Sequence, residues 1–231
     1  MIFPERVVSV GPGDRVLEVG PGLSPHPKAT VLLDLEYDDE EAYLRQVGQK
    51  QLTERPHGVV TYKGGRFPFE TKEFDYTICA QVLEHVEDVP AFLSEVFRVS
   101  RRGYIEYPTI YYEYLYNFFV HRQLLRMKEG VLLYLPKSET QLEKFIGVQR
   151  GFHRSLELGH DSFVVALRPI MFEGFEWNGP FEVRKALSID ELVVSSDSVP
   201  PAARAADATH TPLIARIWRR LLRLRQMAGN G

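Results

Sequence analysis

The sequence predicts an α/β protein with a mostly parallel twisted sheet, helices on both faces and a C-terminal antiparallel hairpin. Short runs of β-branched residues alternate with helix-like patterns through residues 1–194, which is typical of strand–helix–strand crossover units. The chain has 231 residues, 44% of them hydrophobic. That length and composition are enough for one large hydrophobic core.

The individual elements follow from local patterns. Residues 89–99 repeat apolar side chains near a 3.6-residue period, which predicts a helix with one apolar face on the sheet. Two apolar segments flank Asn178-Gly179-Pro180, and this turn predicts the terminal hairpin. The five candidate strands, each bounded by glycine, proline or charged residues, are Arg15–Val19, Val31–Leu35, Val59–Tyr62, Tyr76–Ala80 and Tyr104–Tyr107.

Composition excludes several classes of protein. The net charge of −3 provides no general basic field, so nucleic-acid binding is not expected. Cys79 is the single cysteine, which rules out an internal disulfide framework and suits a small buried side chain. Glu5 and Arg6 interrupt the start of the chain where a secretory signal needs apolar residues, so we expect a cytoplasmic protein. No apolar run has the length of a membrane span.

The composition changes near residue 195. Residues 195–212 are rich in Ser, Ala, Pro and Asp without an apolar period, which predicts a flexible linker. Residues 213–231 form a predicted basic amphipathic helix, with Trp218 in its apolar stripe. Residues 201–231 hold six arginines and one acid, Asp207. Peripheral binding to an anionic membrane, docking on a partner or on the chain itself, and a frayed tail all remain open.

The sharpest local feature is the sequence VLEVGPG at residues 16–22. A strand runs into Gly20 and Gly22, where the backbone can approach a ligand closely, although a plain strand-ending turn has the same pattern. A dinucleotide site would need a helix next, but Pro25 and the short stretch before the second strand leave no room for one. A cofactor without phosphate, such as S-adenosylmethionine, fits this turn better.

Several segments together resemble the class I S-adenosylmethionine-dependent methyltransferases, in particular the type 11 group. The resemblance covers about residues 14–108 and implies a Rossmann-like fold, S-adenosylmethionine as cofactor and methyl transfer as the activity. The segments that carry it are residues 16–22, Asp34, Phe67-Pro68-Phe69, Phe74-Asp75 and Val82-Leu83-Glu84-His85-Val86.

The resemblance also implies roles for individual residues. Glu18 and the backbone of Gly20 and Gly22 would face the methionine end of the cofactor. Asp34 would bind the ribose, with Glu36 as an alternative two residues along the same strand face.

The chain departs from the family pattern at three places. Glu18 and Asp34 are 16 residues apart, so we expect the first crossover helix to be missing. The segment before Phe67 offers no acid for the adenine, which leaves backbone groups and aromatic rings such as Phe67. Some related O-methyltransferases have an acid at the position of Gln81, which would complete a metal site with the following Glu-His pair. Gln81 therefore predicts a site without metal, and we place it among the cofactor-binding residues.

The acceptor side is predicted from side chains that follow the fourth and fifth strands. Glu84 and His85 lie where parallel sheets bind ligands, and a histidine suits removal of the acceptor's proton. A structural role as a cap or loop brace is the alternative. Residues 104–119 are rich in aromatic side chains, which could roof the acceptor or pack in the core. The predicted substrate-binding residues are Tyr107, Tyr111, Tyr112 and His121.

These observations leave two main hypotheses for function. The first is methyl transfer to an oxygen of a small molecule, a glycan or a lipid-linked precursor. The second is a catalytically degenerate methyltransferase fold that binds a partner through its aromatic segment and basic tail. A nicotinamide-dependent oxidoreductase is disfavoured by Pro25.

Overall fold

The computed structural model describes residues 1–47 and 57–193. The predicted linker at 195–212 and the basic helix at 213–231 lie outside the described residues, so both stay predictions. Within the described ranges, no helix has the length and hydropathy needed to span a bilayer. The elements are β1 (Val16–Val19), β2 (Val31–Leu35), α1 (Glu40–Val47), β3 (Val59–Tyr62), β4 (Phe74–Ala80), α2 (Val89–Val99), β5 (Ser100–Pro108), α3 (Ile110–Tyr116), β6 (Gln123–Lys128), β7 (Val131–Pro136), α4 (Ile146–Glu157), α5 (Ser162–Ala166), α6 (Arg168–Met171), β8 (Phe172–Asn178) and β9 (Glu182–Lys185).

The main sheet has six strands in the order β3-β2-β1-β4-β5-β8. β1 to β5 are parallel to their neighbours, and β8 pairs antiparallel with β5 at the edge. The order reverses between β1 and β4, which is the point where open α/β sheets bind ligands. The predicted α/β class with a mostly parallel sheet is confirmed, and all five predicted strands are present.

Helix α2 has the predicted bounds at both ends. Asp88 caps it by accepting a hydrogen bond from the Ala91 N–H at 2.9 Å, and Pro90 lies in the first turn, where a missing N–H is tolerated. The apolar face packs on one side of the sheet. The residues that α2 buries there are Val89, Leu93, Val96 and Val99.

The opposite side of the main sheet is covered in part by the extended N-terminal segment. Val7 and Val10 pack against Val16, Tyr76 and Tyr104. The residues of each strand alternate between the two sides, as the period of two in a strand requires. The N-terminal segment thus covers apolar surface near the first crossover.

The first crossover, from β1 to β2, contains no helix, as the short spacing predicted. The Tyr43 hydroxyl of α1 reaches across to the carbonyl of Gly22 at 3.1 Å. The turn after β1 is therefore supported from the following crossover instead of by its own helix.

The predicted C-terminal hairpin is wrong. β8 extends the main sheet beside β5, whereas β9 joins β7 as a parallel strand of a second, three-stranded sheet. The chain does turn at Gly179, which has a positive φ of 82°. After the turn, Phe181 packs against Phe97 and Phe175, and this packing directs the last strand away from β8.

The rest of the second sheet is a hairpin that the sequence analysis did not identify. β6 and β7 are joined at Glu129 and Gly130, both with positive φ, as the primed hairpin turns require. Leu125 and Leu132 pack into the same core as α2. The sequence does contain a pattern that predicts this hairpin, because apolar residues alternate on both sides of the Glu129-Gly130 pair.

Candidate active site

A cavity of about 1290 Å³ lies at the carboxyl ends of β1 to β4. Its other side is formed by a 3-10 turn at Leu83–His85 and by the loop at residues 118–122, which connects α3 to β6. Ligand sites of open α/β sheets occupy this edge. The fold therefore brings residues of the glycine turn and of the fourth-strand motif to one cavity.

The glycine turn leaves its backbone open to the cavity. Gly20 has a positive φ of 65°, and a Cβ there would lie 2.5 Å from Val82 Cγ2. Gly22 also has a positive φ, but a Cβ at this position would meet no atom within 4 Å. Both glycines line the cavity, so a ligand can approach the backbone at Gly22 without a side chain between.

Glu18 lies behind this turn and is not one of the cavity-lining residues. Its carboxylate is 4% exposed and accepts a hydrogen bond from the His26 N–H at 2.7 Å. Burial raises the pKa of Glu18 to about 7. Glu18 thus supports the segment that replaces the missing helix, and its predicted role at the methionine end of the cofactor stays a prediction.

Asp34 lines the cavity at the end of β2. Its Oδ1 accepts hydrogen bonds from the Leu35 N–H at 2.8 Å and the Tyr37 hydroxyl at 3.4 Å. Glu36, the alternative ribose acid, lies outside the cavity, with its side chain half exposed and 4.0 Å from Lys63 Nζ. Asp34 is therefore the acid that a ligand in the cavity meets at this strand.

Phe67 does not face the cavity, contrary to the sequence prediction. It is 1% exposed, packs edge-on against Tyr62 and Phe92, and its N–H donates to Glu95 Oε2 at 2.8 Å. Tyr62 and Phe92 line the cavity instead. Sequence position alone could not distinguish an aromatic ring behind the cavity wall from one in it.

Gln81 lines the cavity, and its backbone has a positive φ of 60°. Its N–H donates to the Glu106 carbonyl at 2.8 Å, and its side-chain amide donates to Glu106 Oε1 at 3.1 Å. The same Glu106 carboxylate accepts hydrogen bonds from the N–H groups of Ile2 and Phe3. Gln81 thus connects the end of β4 to a buried carboxylate that anchors the N-terminus.

Glu84 is the most unusual group in the cavity wall. Its side chain is 1% exposed, yet neither carboxylate oxygen has a hydrogen-bond partner among the described residues. Burial raises the pKa of Glu84 well above its ordinary value. A buried carboxyl without a protein partner is costly to the fold, which makes Glu84 a candidate for contact with a bound molecule or ion.

His85 lies beside Glu84, with Nε2 3.8 Å from Glu84 Oε1. Its Nδ1 lies 3.1 Å from the carbonyl of Val120, and because a carbonyl only accepts, this nitrogen carries the proton. Burial, together with the neighbouring His121, lowers the pKa of His85 to about 4. His85 is therefore neutral, with the lone pair of Nε2 directed at the carboxyl group of Glu84.

His121 also lines the cavity, and its ring lies edge-on to His85 with centroids 4.7 Å apart. Its Nδ1 is 2.5 Å from Oε1 of the buried Glu113, whose Oε2 accepts from Lys137 Nζ at 2.8 Å. Burial by itself would raise the pKa of Glu113, but the hydrogen bonds and charges of His121 and Lys137 hold it below its ordinary value. His121 is oriented by an ionised carboxylate.

Hydrogen bonds to backbone carbonyls hold together the two segments that carry His85 and His121. The Arg122 N–H donates to the Glu84 carbonyl at 2.5 Å. The side-chain amide of Gln123 donates to the carbonyls of Val86 and Glu87, both at 3.0 Å. The loop at 118–122 is thus held directly against the motif at the end of β4.

The predicted aromatic residues separate into two groups. Tyr112 lines the cavity, together with Phe118 and Phe119. Tyr107 is fully buried and its hydroxyl donates to Glu173 at 2.9 Å, while Tyr111 packs against a separate apolar cluster around Ile110 and Leu133. The prediction that Tyr107 faces a substrate is therefore corrected, because its side chain is fully buried. The substrate role of the half-buried Tyr111 stays a prediction.

Residues 18–105 match the family model described as a methyltransferase domain. This segment is similar to that family. It spans β1 to β5 and includes the glycine turn, Asp34 and the Glu84-His85 pair. This similarity implies S-adenosylmethionine as the cofactor.

Residues of the cavity could hold that cofactor at three places. The backbone of Gly20 and Gly22 would face the methionine end, Asp34 would bind the ribose hydroxyls, and the rings of Tyr62 and Phe92 would pack against the adenine. The turn after β1 leads into no helix that could bind a pyrophosphate. A cofactor without phosphate is consistent with this arrangement.

Solved structures similar to this chain include the YcgJ protein of Bacillus subtilis, at 19% identity over 45% of this chain and 50% of that one, with a TM-score of 0.31. An S-adenosylmethionine-dependent methyltransferase from Aquifex aeolicus has 19% identity over 42% and 57% of the chains and a TM-score of 0.28. One from Mesorhizobium loti has 16% identity over 53% and 56%, with a TM-score of 0.31. The chain spans about half the length of these structures. No curated protein matches the chain.

Two pairs of residues at or behind the cavity wall were not predicted from the sequence. Glu113 and Lys137 orient His121, but neither belongs to a motif, and only their distance in the folded chain shows the connection. Tyr62 and Phe92 were visible as aromatic residues near the matched motifs. Their exposure to the cavity depends on how β3 and α2 pack.

Proposed function

We propose that this protein catalyses S-adenosylmethionine-dependent methyl transfer to an oxygen of a small molecule, a glycan or a lipid-linked precursor. The observation that carries the proposal is one cavity that is lined by two chemically different sets of residues. Gly22 and Asp34 belong to the set that suits the cofactor, and Glu84, His85 and His121 form the other. We call these last three residues the acceptor-end cluster.

The contribution of the chain at the cofactor end is binding and orientation. When bound, S-adenosylmethionine supplies a methyl group on a sulfonium, and the S–C bond breaks as the acceptor oxygen forms the new O–C bond. Asp34 and the open backbone of the glycine turn would hold the cofactor in one orientation. Holding both reactants in line supplies much of the rate enhancement in such a two-substrate reaction.

The acceptor-end cluster would activate the acceptor. A hydroxyl group must lose its proton during methyl transfer, and Nε2 of the neutral His85 offers a lone pair close to the carboxyl group of Glu84, with His121 beside it. The predicted catalytic roles of His85 and Glu84 remain part of this proposal. His121 joins them because the fold places it in the same wall of the cavity.

The aromatic wall suits a particular range of acceptors. Tyr112, Phe118 and Phe119 line the cavity next to His121, and Phe119 is 80% exposed. Aromatic faces stack on sugars and aromatic rings and pack against acyl chains. Together with the predicted basic tail, this wall supports an acceptor that is itself a lipid-linked precursor near an anionic membrane.

The full-length protein tests the proposal in two stages. Titration calorimetry with S-adenosylhomocysteine should show binding at micromolar or tighter Kd. Labelled S-adenosylmethionine should then transfer its methyl group to a component of a glycan, lipid or small-molecule extract. Cofactor binding without turnover in all three extracts would favour the alternative, a methyltransferase fold that binds a partner. No cofactor binding would reject both the enzyme and its cofactor.

A further inference from the structure

The acceptor-end cluster has the geometry of a metal site. One ligand atom from each of Glu84, His85 and His121 lies within 4.8 Å of the others. The separation of His85 Nε2 and Glu84 Oε1 is 3.8 Å. Metal bonds of about 2.1 Å in a tetrahedral site place ligand atoms about 3.4 Å apart. The ligand atoms would therefore have to approach one another by about 1.4 Å or less to share one ion.

Both histidines are held in the tautomer that binds a metal through Nε2. The Nδ1 proton of His85 is donated to the Val120 carbonyl, and Nδ1 of His121 is hydrogen-bonded to the Glu113 carboxylate. Histidines that ligate a metal usually donate their other N–H to a carbonyl or a carboxylate in this way. His85 has a carbonyl as its partner and His121 has a carboxylate. Nε2 is therefore the nitrogen of each ring that remains to bind a metal.

The carboxyl group of Glu84 supplies the independent observation. Both of its oxygens are buried in the cavity wall without a hydrogen-bond partner in the described part of the chain. Lys137, a cation close to the cluster, is paired with Glu113 on the far side of His121. A cation bound between Glu84 and the two histidines would neutralise the charge of the carboxylate. Among the described residues, no lysine or arginine side chain is paired with this carboxylate.

We propose that Glu84, His85 and His121 bind a divalent transition-metal cation of the zinc class, with its remaining coordination positions open to the cavity. Two neutral imidazoles and one carboxylate favour such borderline ions, whereas magnesium prefers an all-oxygen shell. The sequence predicted a site without metal because Gln81 is not a carboxylate. That expectation considered only the motif after β4, and the third ligand comes from the loop before β6.

The site would refine the activation of the acceptor. This step rests on the proposed methyl transfer, while metal binding itself does not. An acceptor oxygen in an open coordination position would be a stronger acid, so its proton could leave to solvent without a free histidine base. His85 and His121 would then act as ligands and not as proton acceptors.

Metal binding is tested on the full-length protein after dialysis against a chelator. Calorimetry with Zn²⁺ should show one site per chain, and Co²⁺ should give visible absorption bands from the nitrogen and oxygen ligands. Glu84→Gln removes the carboxylate without leaving a charge, and His121→Asn removes one imidazole. Each should weaken Zn²⁺ binding at least tenfold and abolish the Co²⁺ bands. The matched control is His160→Asn, at an exposed histidine, which should bind both ions as the parent does.

Two results would overturn the proposal. One is a parent protein that binds no Zn²⁺, and the other is Zn²⁺ affinity equal in the parent, Glu84→Gln and His121→Asn. Thermal melting of each sample verifies folding, and Glu84→Gln should melt no lower than the parent because the carboxyl has no partner to lose. S-adenosylhomocysteine titration of the same metal-free samples separates this proposal from the proposed function. Cofactor binding with no metal binding rejects the metal site alone.

Discussion

Nδ1 of His121 lies 2.5 Å from Oε1 of Glu113, a carboxylate with no exposed surface. Both residues come after the matched segment, Glu113 in a helix and His121 in a loop, and His121 lines the cavity. Lys137 completes the arrangement from the far side. The segment that follows the matched domain therefore forms part of the candidate active site.

The first prediction concerns this buried charge pair. Glu113→Gln leaves the Lys137 charge buried without its partner, and such a loss costs about 3 to 5 kcal/mol. Denaturant unfolding should show this decrease in the free energy of unfolding. Adding Lys137→Met should restore much of the stability, because it removes the uncompensated charge. Equal stability of Glu113→Gln and the parent would contradict the burial of the pair.

The second prediction concerns the ribose acid. Asp34→Ala should weaken S-adenosylhomocysteine binding ten- to hundredfold, since loss of a hydrogen bond to a charged group costs about 1.5 to 3 kcal/mol. Calorimetry measures the Kd. Asp38→Ala, at an exposed position outside the cavity, is the matched control and should leave the Kd unchanged. Should Asp34→Ala bind as tightly as the parent, Glu36 becomes the residue to change.

The third prediction concerns the glycine turn. Gly13 and Gly22 both have positive φ and open space around the Cβ position, so either Gly→Ala change should cost about 1 to 2 kcal/mol of stability. Only Gly22 lines the cavity, so only Gly22→Ala should weaken cofactor binding. Parallel melting and calorimetry on the two variants separate backbone strain from ligand contact. Similar affinities would place the cofactor away from this turn.

The fourth prediction concerns pH. The pKa of Glu18 rises from 4.5 to about 7 on folding, so the folded state binds more protons than the unfolded state between these values. The Glu18 contribution to stability is thus present below pH 4.5 and lost as pH rises through about 7, by up to about 3 kcal/mol.

Glu18→Gln keeps an oxygen that accepts the His26 N–H, and it cannot ionise. The variant should therefore unfold at higher denaturant concentration than the parent at pH 8, with a smaller difference at pH 5. Denaturation curves at the two pH values measure this. A variant less stable than the parent at pH 8 would show that the ionised carboxylate is favourable in the fold.

The fifth prediction concerns the basic C-terminal region. Deleting residues 201–231 should abolish co-sedimentation with anionic vesicles, because each arginine near such a surface contributes about 1 kcal/mol. Neutral vesicles should bind the full chain weakly, and salt should reduce binding to anionic ones. Cofactor affinity is the control and should not change. Equal sedimentation of both proteins would reject the membrane role, and a lower melting temperature after deletion would indicate docking on the domain.

Local sequence patterns determined the strands of the parallel sheet, helix α2, the missing first crossover helix and the glycine turn. These features depend on residues close together in the chain, such as the 3.6-residue apolar period of 89–99 or Pro25 after Gly22. The positions of Asp34 and Glu84 at the carboxyl ends of strands follow in the same way, because parallel strands place those ends together.

Only the tertiary structure decided which side chains meet. The chain after β8 joined a different sheet because Phe181 packs on Phe97, a contact that no local pattern records. Tyr107 and Phe67 are aromatic residues near the matched motifs but are buried. His121 lies beside His85 because the loop at 118–122 is held against the segment after β4. Local conformational preference fixes elements, but contacts across the chain depend on the packing of those elements.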